Sequence, residues 1–147
     1  MNYLSLLGKR LKDDDVIEIL ESANIEVIYD FDRLHENIPD RYWAGSQKDG
    51  FQFGFDENQI LELIFLYVLP SEGFAAVRPE NCDARFFSSI PEAEAHAAGK
   101  RLGVTKGQTT FLGIQRAWVR LEDEKRSVHY EFHGDQLARV TITKTRS

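Results

Sequence analysis

The chain has 147 residues, of which 42% are hydrophobic and 12% aromatic, with 24 acidic and 18 basic side chains. These proportions exclude a disordered or low-complexity chain and predict one folded domain that needs no disulfide or metal ion for stability. The formal net charge of −6 argues against a nucleic-acid-binding protein, because such proteins gain affinity by neutralising phosphates with Lys and Arg.

The sequence also predicts a soluble, cytoplasmic protein with no membrane partner. The N-terminal segment lacks the cationic region and the small-residue cleavage site of a secretion signal. The longest apolar run, residues 60–70, contains Glu62 and is far shorter than the roughly 20 residues that cross a bilayer. Because Cys82 is the single cysteine, no internal disulfide forms.

The first predicted element is a helix that begins at Asp13 or Asp14, either of which suits an N-cap. It ends near Asn24, a residue that tolerates the left-handed backbone conformation found at helix ends. Its apolar residues recur at helical intervals of three or four, and they are Val16, Ile17, Leu20 and Ala23.

Strands follow the helix. Residues 41–46 form a run that contains a tryptophan, and in residues 51–55 phenylalanines alternate with smaller or polar residues, as in a half-buried strand. A turn at residues 56–58 leads to residues 61–68, which are apolar on both faces. Such a strand is either central and covered on both faces, with the second half of the chain as the expected cover, or exposes a patch for a partner.

A linker rich in Gly, Pro and polar residues precedes a second predicted helix. Ser89 and Glu92 have capping-box spacing, Pro91 suits the first turn, and Gly103 is the expected end of the helix. Further strand-like runs are residues 116–121, 128–133 and 139–145, with a turn at residues 133–135.

The order of helix, loop, Trp-bearing strand and aromatic hairpin therefore occurs twice, with Trp43 and Trp118 in corresponding positions. The predicted fold class is α+β, with two tandem units that share one core or sheet, each a short N-terminal helix followed by an antiparallel β-meander. The units span residues 4–70 and 88–145 and are joined by a packed linker, residues 71–87, in a single compact domain.

Charge is divided unevenly between the two halves. Residues 1–75 carry 6 basic and 15 acidic side chains, a net charge of −9, whereas residues 76–147 have a net charge of +3. Acidic residues interleaved with aromatic residues suit a basic protein partner, because charge steers the encounter and aromatic rings anchor the complex. The alternative is a solvated loop. The candidate partner-binding residues are Asp30, Asp32, Glu36, Asp40, Tyr42 and Trp43.

The element order, with Trp43 preceding Phe55 and Trp118 preceding Phe132, resembles the tandem repeat of the β-lactamase inhibitory protein family. The single-unit relatives of that family are small lipoproteins of the outer-membrane assembly machinery. The sequence is also similar to uncharacterised bacterial cytoplasmic proteins. This resemblance implies a non-catalytic scaffold that grips another protein. The chain differs from the inhibitory protein in lacking a secretion signal and paired cysteines, which places the expected target in the cytoplasm.

Few residues suggest catalysis or metal binding. The best candidates are His129, Glu131 and His133, which a strand would present on one face. Ligands on a straight strand diverge too much to surround one zinc ion, so the competing interpretation is the solvated face of a sheet. We therefore expect no enzymatic activity, no cofactor and no resident metal.

Three functions remain as hypotheses. The first is an inhibitor or immunity protein that neutralises a basic partner, such as a nuclease toxin, through the acidic first unit. The second is a scaffold or adaptor whose sheet binds a peptide or a second copy of the chain. The third is an enzyme or metal protein built on the His129, Glu131 and His133 face.

Overall fold

A computed structural model describes residues 2–30 and 40–145 of the chain. The helices are α1 (Tyr3–Leu6), α2 (Asp14–Ser22) and α3 (Ile90–Lys100), with a 3₁₀ turn at Pro79–Asn81. The strands are β1 (Val27–Asp30), β2 (Arg41–Ser46), β3 (Phe51–Phe55), β4 (Leu61–Tyr67), β5 (Gly103–Phe111), β6 (Ile114–Glu122), β7 (Arg126–His133) and β8 (Gln136–Lys144). Within these described ranges, no helix is long and apolar enough to span a bilayer.

All eight strands form one antiparallel sheet in the order β1-β2-β3-β4-β8-β7-β6-β5. The predicted fold class, two tandem helix-plus-meander units, is therefore wrong. The sheet has no boundary between units, because β4 pairs with β8 along its length, with Ile64 opposite Ile142 and Leu66 opposite Val140. The described part of the chain is mostly this single sheet, with the short helices α1, α2 and α3 packed on it.

The core lies between the helices and one face of the sheet. The alternation predicted for β3 is confirmed, since Phe51, Phe53 and Phe55 are all fully buried. Burying a phenylalanine side chain contributes roughly 1.5–3 kcal/mol, so these three anchor the sheet under the helices. The core is completed from the helices by Tyr3, Leu6, Val16, Ala93 and Ala97, and from the other strands chiefly by Leu61, Ile64, Leu66, Val119, Leu121, Tyr130, Phe132, Val140 and Ile142.

A β-bulge in β4 changes which residues point into the core. Gly54 lies opposite Leu63 but the next residue, Phe55, lies opposite Leu61, so Glu62 is an extra residue in the strand. Strict alternation along a strand would place Leu61 and Leu63 on the same face. The bulge instead turns Leu61 into the core, fully buried, while Leu63 stays on the other face, half-buried.

The second face of the sheet, which we call the open face, is partly covered by its own side chains. The ring of Phe65 in β4 lies nearly parallel to that of Trp43, with ring centroids 6.2 Å apart. The Arg139 guanidinium also lies over the Phe65 ring, 5.1 Å from its centroid. Phe74 stacks on Tyr67 at 4.4 Å. The doubly apolar strand is thus central in the sheet, and its second face is covered by neighbouring aromatic and arginine side chains.

The helix ends agree in part with those predicted from the sequence. Asp13 occupies the N-cap of α2, and Asn24 has the left-handed conformation beyond its end, with φ of 53°. The Ser89 hydroxyl accepts a hydrogen bond from the Glu92 N–H at 3.2 Å and caps α3. The expected end of this helix at Gly103 is wrong, because Arg101 adopts the left-handed turn with φ of 56° and strand β5 begins two residues later.

Candidate partner-binding surfaces

The exposed large hydrophobic side chains lie at the two edges of the sheet. Among the residues that the structure describes, they are Ile28, Tyr29, Val104, Leu112 and Ile114. The first two belong to edge strand β1, and the other three to the β5–β6 hairpin at the opposite edge. Because contiguous exposed apolar side chains often mark interaction sites, each edge is a candidate binding surface.

At the β1 edge, an aromatic and acidic cluster lies on the face of the sheet that carries the helices. Tyr29 stacks on Tyr42 of β2, with ring centroids 4.8 Å apart. The Tyr29 hydroxyl donates a hydrogen bond to the Asp40 carboxylate at 2.5 Å, and this bond raises the pKa of Tyr29 to about 12. The predicted binding residues Asp40 and Tyr42 are therefore brought together here.

The remaining described candidates lie around the same edge but on the open face. In the β1–β2 pairing, Ile28 is opposite Trp43, and Asp30 is opposite Arg41. The Arg41 guanidinium lies 5.3 Å from the centroid of the Trp43 ring and also pairs with Glu62. Neighbouring strand residues point to opposite faces, so Tyr42 and Trp43 flank the β1 edge from two sides.

The other two predicted residues, Asp32 and Glu36, lie outside the described residues. Ile28 belongs to the same candidate surface, with a side chain that is 63% exposed, and it was not among the predicted residues. The available signal was the run of residues 27–29, Val-Ile-Tyr, since β-branched and aromatic residues favour strands. In the edge strand β1, these residues lie beside Asp30, the acidic residue at which the strand ends. We call the described set Ile28, Tyr29, Asp30, Asp40, Tyr42 and Trp43 the β1-edge surface.

The open face also contains a broad polar concavity of about 860 Å³. Two of its carboxylates are ion-paired, Glu62 with Arg41 and Glu122 with the Arg120 Nε at 2.9 Å. The third, Asp56, accepts hydrogen bonds from the backbone N–H groups of Asn58 and Ile60. The buried Ser127 hydroxyl donates to Glu122 at 3.3 Å. A serine nucleophile needs a base, commonly histidine, to take its proton. His129 lines the same concavity, but the Ser127 hydroxyl donates its hydrogen bond to Glu122, a carboxylate already paired with arginine.

The candidate metal residues lie on the open face of β7, as alternation predicts. Glu131 lies between Arg139 and His133, with its Oε2 3.1 Å from the Arg139 guanidinium and its Oε1 3.4 Å from the His133 Nε2. Over residues 2–30 and 40–145, no group of three His, Cys, Asp or Glu side chains is positioned to hold a metal ion. His129 instead packs against Trp118, with ring centroids 5.1 Å apart.

Protonation of His129 is expected to destabilise the fold. Burial lowers its pKa below the ordinary value of 6.5, and Arg120 and Arg139 act in the same direction while Glu131 opposes them. A depressed pKa means that the neutral imidazole is favoured in the native state, so this stability is present above pH 6.5 and is lost as the pH falls through the native-state pKa. Urea unfolding of the wild type and His129→Gln on both sides of that pH measures the effect. The wild type should lose more stability on acidification than the variant; equal losses would contradict the assignment.

Cys82 is half-buried and its thiol donates to the Arg78 carbonyl at 3.4 Å. Burial raises the pKa of Cys82 to about 11, with Asp83 and Glu80 acting in the same direction. The thiolate is the reactive form of cysteine, so this raised pKa disfavours reaction of the side chain near neutral pH.

The chain shows no significant match to a protein-family model, a curated protein or a solved structure. Assignment of a function therefore depends on the geometry and charge of the surfaces described above.

Proposed function

We propose that the protein is a non-catalytic inhibitor of the immunity type, which neutralises a basic protein by binding it on the β1-edge surface. The observation that carries this proposal is the exposure of Ile28 and Tyr29 directly beside the acidic residues Asp30 and Asp40. Apolar and aromatic side chains supply most of the binding energy in protein complexes, and surrounding charges choose the partner.

The charge distribution supports a basic partner. The half of the chain that contains this surface has a net charge of −9, and the other half has +3. Such a field accelerates association with a cationic protein and weakens as salt screens it. A nuclease toxin is the partner class with the matching chemistry, because a surface that binds phosphates is itself basic. We propose that this neutralisation takes place in the cytoplasm.

The rigidity of the surface also supports binding. Tyr29 is held by both its stacking on Tyr42 and its hydrogen bond to Asp40, and Trp43 is held between Phe65 and Arg41. Side chains that are already ordered lose less conformational entropy when a partner docks. Two aromatic groups are thus fixed on either side of the edge strand before any complex forms.

The test uses the protein encoded by the neighbouring open reading frame, because immunity genes sit beside the toxins that they neutralise. We expect the two proteins to form a complex by isothermal titration calorimetry, and co-expression to restore growth of cells that produce the neighbouring protein. Raising the salt concentration should weaken the complex. The double variant Asp30→Asn, Asp40→Asn should weaken it about tenfold or more, which corresponds to about 1.4 kcal/mol.

Asp135→Asn is the matched control, since this exposed acid lies in the β7–β8 turn, away from the β1 edge. It removes one negative charge where the double variant removes two, and it should leave the affinity close to that of the wild type. Ile28→Ala should weaken the complex without changing its salt dependence. The proposal fails if the neighbouring protein does not bind, or if the control and the double variant weaken binding equally.

A further inference from the structure

We propose that the free edge of β5 pairs with β5 of a second copy of the chain, which joins two sheets into one. β5 (Gly103–Phe111) is nine residues long and, in the described parts of the chain, is bonded only to β6. An edge strand offers unpaired N–H and C=O groups, and proteins usually keep such strands short, charged or covered. The opposite edge strand, β1, has four residues and ends at Asp30, whereas β5 contains one charged residue, Lys106.

The hydrogen bonds show which backbone groups of β5 face outward. The Gln115 carbonyl of β6 accepts from the Gly134 N–H at 2.8 Å, so the backbone of Gln115 faces β7. Its partner across the β5–β6 pairing is Thr110, whose N–H and C=O must then point away from β6. Because this direction alternates along an antiparallel strand, the outward-facing groups belong to Val104, Lys106, Gln108 and Thr110.

A two-fold axis at Gly107 gives a self-complementary register. Gly107 is the midpoint of β5, so this register pairs all nine residues and places Lys106 of one copy opposite Gln108 of the other. Residues whose backbone N–H and C=O groups face outward then lie opposite one another in the two copies, as antiparallel hydrogen-bonded pairs require. A register centred on Lys106 would instead put two ammonium groups side by side, which is destabilising.

Side chains at the strand ends and at the axis agree with this register. Leu112 is the first residue of the β5–β6 turn and is 84% exposed, and the register places this turn at the end of the strand pair, near the half-buried Leu102 of the second copy. At the axis, a Cβ on Gly107 would lie 2.8 Å from the Trp118 ring, so that ring already covers the open face of the strand there. The dimer therefore places the exposed Leu112 near an apolar side chain of the second copy, and it keeps the two Lys106 residues from lying directly opposite each other.

Light scattering coupled to gel filtration tests the dimer across a dilution series. We expect the full chain to have twice the monomer mass of 16.9 kDa at the higher concentrations. Gln108→Pro removes an N–H that points away from β6, so it should leave the β5–β6 hairpin intact and yield a folded monomer. Gln108→Ala keeps the N–H and should remain dimeric. A monomeric wild type at every concentration, or a folded dimeric Gln108→Pro variant, overturns the proposal.

Crosslinking tests the register in a Cys82→Ser background. Thr105 of one copy should face Thr109 of the other in a non-hydrogen-bonded pair, with Cα atoms about 4.5 Å apart, close enough for a disulfide. Equivalent Thr105 residues would be about 14 Å apart, which is too far. A mixture of Thr105→Cys and Thr109→Cys proteins should therefore crosslink in oxidised glutathione, while neither does so alone. Equal crosslinking of the single variants would contradict the register.

This dimer is independent of partner neutralisation, because β1 and β5 are at opposite edges of the sheet. Asp30→Asn with Asp40→Asn should leave the dimer mass unchanged, and Gln108→Pro should still bind the basic partner. The two proposals can therefore fail separately.

Discussion

Replacing Phe53 with alanine is expected to lower the free energy of unfolding by about 3–5 kcal/mol, the range typical of a phenylalanine removed from a core. Phe53 is fully buried in the middle of β3. Its ring lies 4.9 Å from that of Phe51, 6.3 Å from that of Phe55 and 6.4 Å from that of Tyr3 in α1. The loss combines the missing apolar burial with a cavity that these rings, fixed by the sheet and the helix, fill only in part.

Urea denaturation followed by tryptophan fluorescence and circular dichroism measures this loss. Ile28→Ala is the control, since its side chain is mostly exposed and its truncation should change stability by less than about 0.5 kcal/mol. A Phe53→Ala protein that unfolds at nearly the wild-type urea concentration would show that the three phenylalanines of β3 do not form the centre of the core.

Replacing Gly50 with alanine is expected to cost roughly 4 kcal/mol, at the high end for a single substitution. Gly50 has φ of 76°, and a left-handed backbone alone costs an alanine about 1–2 kcal/mol. A Cβ at this position would also lie 2.3 Å from the Ala75 carbonyl oxygen and 2.6 Å from the Val77 nitrogen. Backbone atoms cannot turn aside as a flexible side chain does, so the β2–β3 turn must separate from residues 75–77.

The geometry around Gly50 explains why this separation is costly. The Gly50 carbonyl accepts a hydrogen bond from the Tyr67 N–H at 2.9 Å, and the Tyr67 carbonyl accepts one from the Val77 N–H at 2.7 Å. Gly99→Ala in α3 is the matched control, because a Cβ added to Gly99 would have no described neighbour within 4 Å. It should be neutral or stabilising by up to about 1 kcal/mol, since alanine favours helices over glycine. Thermal unfolding of both variants checks the contrast, and equal melting temperatures would contradict it.

Local signals in the sequence predicted local structure well. The alternating phenylalanines of β3 identified a buried strand face, and Ser89 identified the start of α3, because each depends on residues close in the chain. The β4 bulge was missed because Glu62 differs from its neighbours only in polarity, and one extra residue reverses the faces of every residue before it. The left-handed Arg101 was missed because glycine is the usual residue in that conformation.

The sheet as a whole was not predicted, because its central pairing is non-local. Nothing near Ile64 in the sequence indicates that Ile142 lies beside it. Strand β5 was also missed, since its glycines and polar residues give a weak strand pattern, and its position at an edge requires little apolar content. For the candidate site, the local composition of the sequence pointed to the acidic and aromatic residues of the β1 edge. Which of them lie on the helix-bearing face of the sheet and which on the open face depends on the β1–β2 pairing, which the composition does not give.

The pairing of β4 with β8 also has a consequence for how the protein folds during synthesis. β4 ends at Tyr67 and β8 begins at Gln136, so the ribosome makes most of the second half of the chain before the two strands can meet. Until then, the apolar β4 is an open template on the nascent chain, and such edges aggregate or recruit chaperones. Non-local strand pairing slows folding, so we expect the β4–β8 pairing to form late.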